Sequence, residues 1–228
     1  MRTIVRAFWG PRPEPVEAVA DRWLSTLTAL DALVPGDRWQ LVRASETPTE
    51  LVPDRESLLA ALRTAGSEED WSDVIGTGLR LTRTTRSGGE IEVSVLAGGA
   101  PEYLLQSVVI GITTPTGFAD LETRLLSALV LAWDPDVGDV TDDDILDALE
   151  DRAGFAVGDP AIGRHAYLSA RRAARWPDGL RAVRREVVAD GVLVDVGAAP
   201  DEVVGAYRLL RDAGALEPLP TPMDRAVW

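Results

Sequence analysis

Apolar residues recur along the chain at two different periods. Val16, Val19, Ala20, Trp23, Leu27 and Leu30 fall on one face at helical spacing, with Glu14, Glu17, Asp21, Ser25 and Thr28 opposite. This predicts an amphipathic helix over 16–34, entered through Pro15, whose missing N–H has no partner in a first turn. Before it, Thr3 to Trp9 is rich in β-branched and aromatic residues and reads as a strand, stopped by Gly10-Pro11 and the prolines that follow. Arg38 to Arg43 reads as a short strand, and Pro53-Asp54 opens a helix ending near Gly66. Leu79 to Thr85 and Ile91 to Leu96 alternate at period two around Ser87-Gly88-Gly89, which predicts a hairpin. Leu104 to Ile112 predicts a third, more buried strand. Thr116 caps a predicted helix to about Leu131, with Phe118, Leu121, Leu125 and Leu129 inward.

The second half repeats these signals. Trp133 to Asp139 reads as a corner. Thr141-Asp142-Asp143-Asp144 has the form of a capping box before a short helix whose apolar side is Ile145, Leu146 and Leu149. His165 to Ala170 reads as a strand. Arg184 to Ala189 and Val192 to Val196 flank Asp190-Gly191, which predicts a type I′ hairpin turn. A last helix is predicted from Pro200-Asp201-Glu202 to Gly214, followed by a proline-rich extended tail. Strand runs joined by tight turns predict an α+β fold over 1–228 as a single domain, with helices packed on one side of a largely antiparallel sheet. Trp9-Gly10-Pro11 and Trp133-Asp134-Pro135, each ahead of a predicted helix, suggest two similar halves.

Composition narrows the chemistry. The 228 residues carry 23 basic side chains, every one an arginine, against 37 acidic ones, for a net charge of −14. That balance disfavours a nucleic-acid partner and favours a basic one. With no cysteine, disulfides and thiolate metal sites are excluded. The N-terminal residues lack a signal-peptide pattern, and no apolar run reaches the roughly 20 residues of a membrane helix. The expectation is a cytoplasmic protein with no membrane partner.

No catalytic constellation stands out. The single histidine, His165, has no Gly-x-Ser-x-Gly elbow to serve. Asp134-x-Asp136 begins like an EF-hand loop, but the glycine is displaced and Ile145 stands at the bidentate-glutamate position. No phosphate loop is present. The expectation is no catalytic residue, no cofactor and no metal.

The charge pattern is the feature that points outward. From Asp134 to Asp151 there are nine acidic residues and no basic one. Asp142 to Asp144 suit a helix N-terminus, whereas Asp134, Asp136 and Asp139 have no such explanation. They are the first candidate binding residues, with the acidic loop Glu68, Glu69, Asp70 and Trp71 second, its tryptophan a potential anchor. Arg164, Arg171, Arg172, Arg175, Arg181, Arg184 and Arg185 follow in a cluster. Either they pair with the acidic run, or the run is left as an acidic face for a basic partner.

Trp9-Gly10-Pro11-Arg12 after a short strand and before a long amphipathic helix resembles the immunity protein 52 family. Ala132-Trp133-Asp134-Pro135-Asp136, Gly163 to Ser169 ending in Tyr-Leu-Ser, and Asp190-Gly191-Val192-Leu193-Val194 with the helix after it resemble that family's later motifs. Arg164 and His165 follow Gly163 where the family often has a tryptophan. The resemblance covers most of the chain. It implies a protein that binds and neutralises a cognate bacterial toxin in the cytoplasm, toxins of this kind including nucleases with basic surfaces. The alternatives are a hydrolase or transferase with a carboxylate-based site, and a structural adaptor.

Overall fold

The structure is a computed structural model that describes all residues except 1, 45, 68–71, 73, 115–118 and 181–183. Among the described residues the chain forms one ten-stranded sheet and six helices. The elements are β1 (Arg2–Trp9), α1 (Val16–Leu33), β2 (Trp39–Leu41), β3 (Thr49–Leu51), α2 (Arg55–Ala65), β4 (Gly76–Thr84), β5 (Glu90–Gly98), β6 (Gln106–Thr113), α3 (Ala119–Trp133), β7 (Val137–Thr141), α4 (Asp143–Ala153), β8 (His165–Leu168), α5 (Ala170–Ala173), β9 (Arg184–Val188), β10 (Gly191–Asp195) and α6 (Pro200–Asp212). The strand order is β3-β2-β4-β5-β6-β1-β7-β8-β10-β9, with every neighbouring pair antiparallel. The α+β class is therefore the observed one. No helix among the described residues is long and apolar enough to cross a membrane.

Strand alternation divides the core in two. Val5, Ala7 and Trp9, with Leu81, Ile91, Val93, Val108 and Ile110, bury one face of the sheet beneath α1, α2 and α3. Ala166, Leu168, Val192 and Val194 join Ile145 and Leu149 of α4 and Val203, Tyr207 and Leu210 of α6 in a second cluster. Tyr167 and Leu193, which alternate with those strand residues, belong to the first cluster. Successive side chains in a strand point to opposite faces, so the two cores lie on opposite sides of one sheet. The helices are thus not confined to one side. The α4 and α6 helices pack on that opposite face, against the strands of the second half.

Three local expectations need correction. The segment read as a corner from Trp133 to Asp139 turns only through 134–136; Val137–Thr141 is an interior strand, β7, which pairs with both β1 and β8. Its Val-Gly-Asp-Val-Thr sequence hides the alternation, because both faces are buried. Trp9 ends a strand while Trp133 ends a helix, so the two corners are not equivalent. The hairpin between β9 and β10 is closed by Val188 opposite Gly191, which puts Ala189 and Asp190 in the turn. Ala189 takes the positive φ, 50°, and Gly191 is a strand residue. Its glycine is required by close approach: a Cβ there would collide with the Leu168 carbonyl and the Tyr167 hydroxyl.

Candidate functional site

The acidic run from Asp134 to Asp151 is sorted by the fold into two populations. The first turns inward. Asp139 of β7 faces Arg6 of β1 in register and accepts from its Nε at 3.0 Å and its Nη2 at 2.8 Å, with the carboxylate 2% exposed. Burial pulls the Arg6 pKa down, but the Asp139 charge and hydrogen bonds outweigh it and the net direction is up. Asp136 accepts from Ser169 Oγ at 2.8 Å, Arg172 Nε at 2.8 Å and the Trp228 backbone N–H at 3.0 Å. Arg172, 1% exposed, also sets its Nη2 2.7 Å from Asp136 and donates from Nη1 to the carbonyls of Ala215 and Glu217. Asp142 caps α4 by accepting from Ile145 N–H at 2.9 Å and pairs with Arg164, which also forks onto buried Glu122 at 2.8 and 3.2 Å. The cap is Asp142, not Thr141, since Thr141 closes β7.

This corrects the expectation of an acidic face at the corner. Asp136 and Asp139 are interior groups, each held by an arginine. A carboxylate that must enter the core needs a partner and several hydrogen bonds, and the planar guanidinium supplies both. Of the predicted corner residues only Asp134 reaches the surface, its side chain 66% exposed and 3.6 Å from Arg12. The second candidate group, Glu68, Glu69, Asp70 and Trp71, lies outside the described residues. The arginine cluster is divided as well. Arg164 and Arg172 pair with the acidic run, Arg175 with Glu217, and Arg184 with Glu186.

The second population turns outward. Asp143, Asp144, Asp147, Glu150 and Asp151 are all exposed on α4. Opposite them, Ile145, Ala148 and Leu149 are buried. None of the five has a counter-ion among the described residues. The helical period of Ile145 and Leu149 already places these carboxylates on the solvent side; the corner drew attention away from them. Asp143 and Asp144 stand where the helix dipole favours anions. Glu150 and Asp151 stand in the last turn, where it disfavours them. Asp147 lies three or four positions from each of the other four, a spacing that makes like charges repel.

On the other side of the sheet from α4, the aromatic corner is packed shut. Trp9, Trp23, Trp39 and Trp133 are fully buried. Arg12 lies over Trp9, 5.0 Å from the ring centre, and donates to the Trp133 carbonyl at 2.6 Å and the Asp134 carbonyl at 3.1 Å. Burial and the nearby Arg22 charge lower the Arg12 pKa against the opposing pull of Glu14 and Asp134. Arg22 donates to the Ala132 carbonyl at 2.6 Å. The two arginines satisfy carbonyls at the end of α3, whose last turn holds no basic residue. Arg83 does the same for Leu30 and Val34 at the end of α1.

His165, the sole histidine, lies 3.6 Å from Glu122 and 3.9 Å from Asp195, with the Thr123 hydroxyl 3.5 Å from both ring nitrogens. Among the described residues no group of three or more His, Asp or Glu side chains is placed to hold a metal ion. No family model and no curated protein matches the sequence. In structure the chain is similar to the Pseudomonas aeruginosa T6SS protein PA0821, at a TM-score of 0.52 and 13% identity over 94% of this chain and 72% of that one. The likeness is one of fold.

Proposed function

We propose that this protein is an immunity protein that binds a cognate protein toxin bearing a basic surface, in the cytoplasm, and blocks it without chemistry of its own. In this reading the outer face of α4 is the surface the toxin meets first. The observation that carries it is the set of five exposed carboxylates with no counter-ion among the described residues, three of them, Asp147, Glu150 and Asp151, at positions that helix stability disfavours. Charge kept against the interest of folding is charge available for a partner, and like charges focused on one face speed the encounter with an opposite surface. The likeness in fold to a T6SS protein fits a toxin-linked setting, as does the resemblance of the tryptophan motifs to immunity proteins.

The test is co-expression with the product of the adjacent gene, followed by association kinetics across a salt series. Asp147→Asn, Glu150→Gln and Asp151→Asn together leave the Asp142 cap intact. The triple variant should associate several-fold more slowly at low salt and converge on the wild type at high salt, because rim charges act mainly on the on-rate. Lack of rescue or of any complex would overturn the immunity reading. A complex with an unchanged rate at every salt concentration would move the surface away from α4.

A further inference from the structure

Arg164 ties together two helices that lie on opposite faces of the sheet. α3 packs over the first core and α4 over the second. From just before β8, Arg164 forks onto Glu122 of α3, with Nη2 at 2.8 Å and Nε at 3.2 Å, while its Nη1 reaches Asp142, the cap of α4. The backbone of this clasp is fixed: Arg164 N–H donates to the Val140 carbonyl at 2.8 Å, and the Arg164 carbonyl accepts from Val196 N–H at 2.8 Å. His165, the next residue, sits against the clasp with its side chain 14% exposed. Each ring nitrogen faces a carboxylate just beyond hydrogen-bond reach, Nε2 at 3.6 Å from Glu122 Oε2 and Nδ1 at 3.9 Å from Asp195. That same Glu122 oxygen accepts from Arg164 Nε. A neutral imidazole has one N–H and can serve only one of the two carboxylates; an imidazolium has two and can serve both. Among the described residues the charged groups around the ring are Glu122 of α3, Asp195 of β10 and Arg164, with Asp142 beyond Arg164 and Arg184 of β9 opposite Asp195 in register; β7 contributes the uncharged Val140.

We propose that His165 is a proton-operated release for the Arg164 clasp. A proton taken from solvent gives the ring its second N–H. The imidazolium then draws Glu122 away from Arg164 and repels the guanidinium, and α4 loses its tie to α3. Burial keeps the ring uncharged at neutral pH, so the release belongs to the range below the ordinary pKa of 6.5. Asp142 accepts from Ile145 N–H and opens α4, the helix that carries the five exposed carboxylates. Mild acid therefore loosens the seat of that face, whatever it binds.

The experiment uses the full chain with no partner present. With one histidine in the sequence, the imidazole signal in an NMR pH titration belongs to His165. Amide hydrogen exchange, corrected for its intrinsic pH dependence, follows α4 over the same range. Between pH 7.5 and 5 the protection of the amides from Ile145 to Leu149 should fall about fivefold, as for a weakened helix cap, with a midpoint that coincides with the imidazole's. Asp195→Asn removes one carboxylate from beside the ring, leaves the clasp in place and should move both midpoints to lower pH together. His165→Gln should melt as a native protein at pH 7.5 and lose the pH-dependent change. Protection that stays constant while the imidazole titrates, or that falls equally in His165→Gln, would overturn the inference. So would an Asp195→Asn variant in which the midpoint moves for the ring alone.

Discussion

Trp9 and Trp133 stack with ring centres 5.5 Å apart and 20° between their planes, and Trp23 meets Trp133 edge-on at 6.5 Å and 84°. The residues that end β1 and α3 thereby form one aromatic core, to which Arg12 adds a cation over the Trp9 face. Trp9→Ala should cost about 3–5 kcal/mol, as expected for a fully buried aromatic replaced by a cavity. Trp9→Phe should cost less, partly because the buried Trp9 Nε1 has no acceptor to lose. Chemical denaturation measures both.

Asp136 holds three donors and Arg172 is buried against it. Asp136→Ala leaves that guanidinium without its counter-charge and should destabilise by about 3–5 kcal/mol. Replacing both Asp136 and Arg172 by apolar residues should cost less than the sum of the single changes. Denaturant midpoints for the full double-mutant cycle decide this, and an additive result would rule out the coupling.

The β9–β10 turn makes two opposite expectations. Ala189 sits at φ 50°, where an L side chain is strained, so Ala189→Gly should stabilise by about 1 kcal/mol. Gly191→Ala should instead destabilise by about 1–3 kcal/mol, because its Cβ meets the neighbouring strand β8. Melting temperatures of the two variants should move in opposite directions.

On α4, the triple change Asp147→Asn, Glu150→Gln and Asp151→Asn removes four like-charge pairs at helical spacing. It should raise stability by about 1 kcal/mol at low salt while slowing association with the proposed partner. A denaturation curve that shifts down would show these carboxylates to be structural.

His165 gives a pH dependence. Burial lowers its pKa below the ordinary 6.5; Asp195 and Glu122 oppose this, Arg164 adds to it, and the net direction is down. The unfolded chain therefore takes up the proton first. The stability associated with neutral His165 is complete above pH 6.5 and falls away as pH drops through the lower folded value. Between pH 7.5 and 5, wild type should lose more stability than His165→Gln. Equal losses in urea titrations would remove His165 from the account.

Local periodicity and turn chemistry by themselves determined much of this protein. The face of α1, the ends of α2 and α6, the β4–β5 hairpin and the burial of Trp9, Trp23 and Trp133 are all written in short-range patterns. These features depend on residues a few positions apart, where spacing dictates which side chains share a face. The acidic run shows the limit. Its composition is visible in the chain, but whether a given carboxylate faces water depends on partners far away in sequence. Arg6 comes from 133 positions before Asp139, and Arg172 from 36 after Asp136. The same holds for Arg12, which caps the end of α3 from 121 positions away. Only the tertiary structure decided which acids are neutralised inside and which remain on α4, because charge pairing is set by distance in space and burial, to which sequence order is blind.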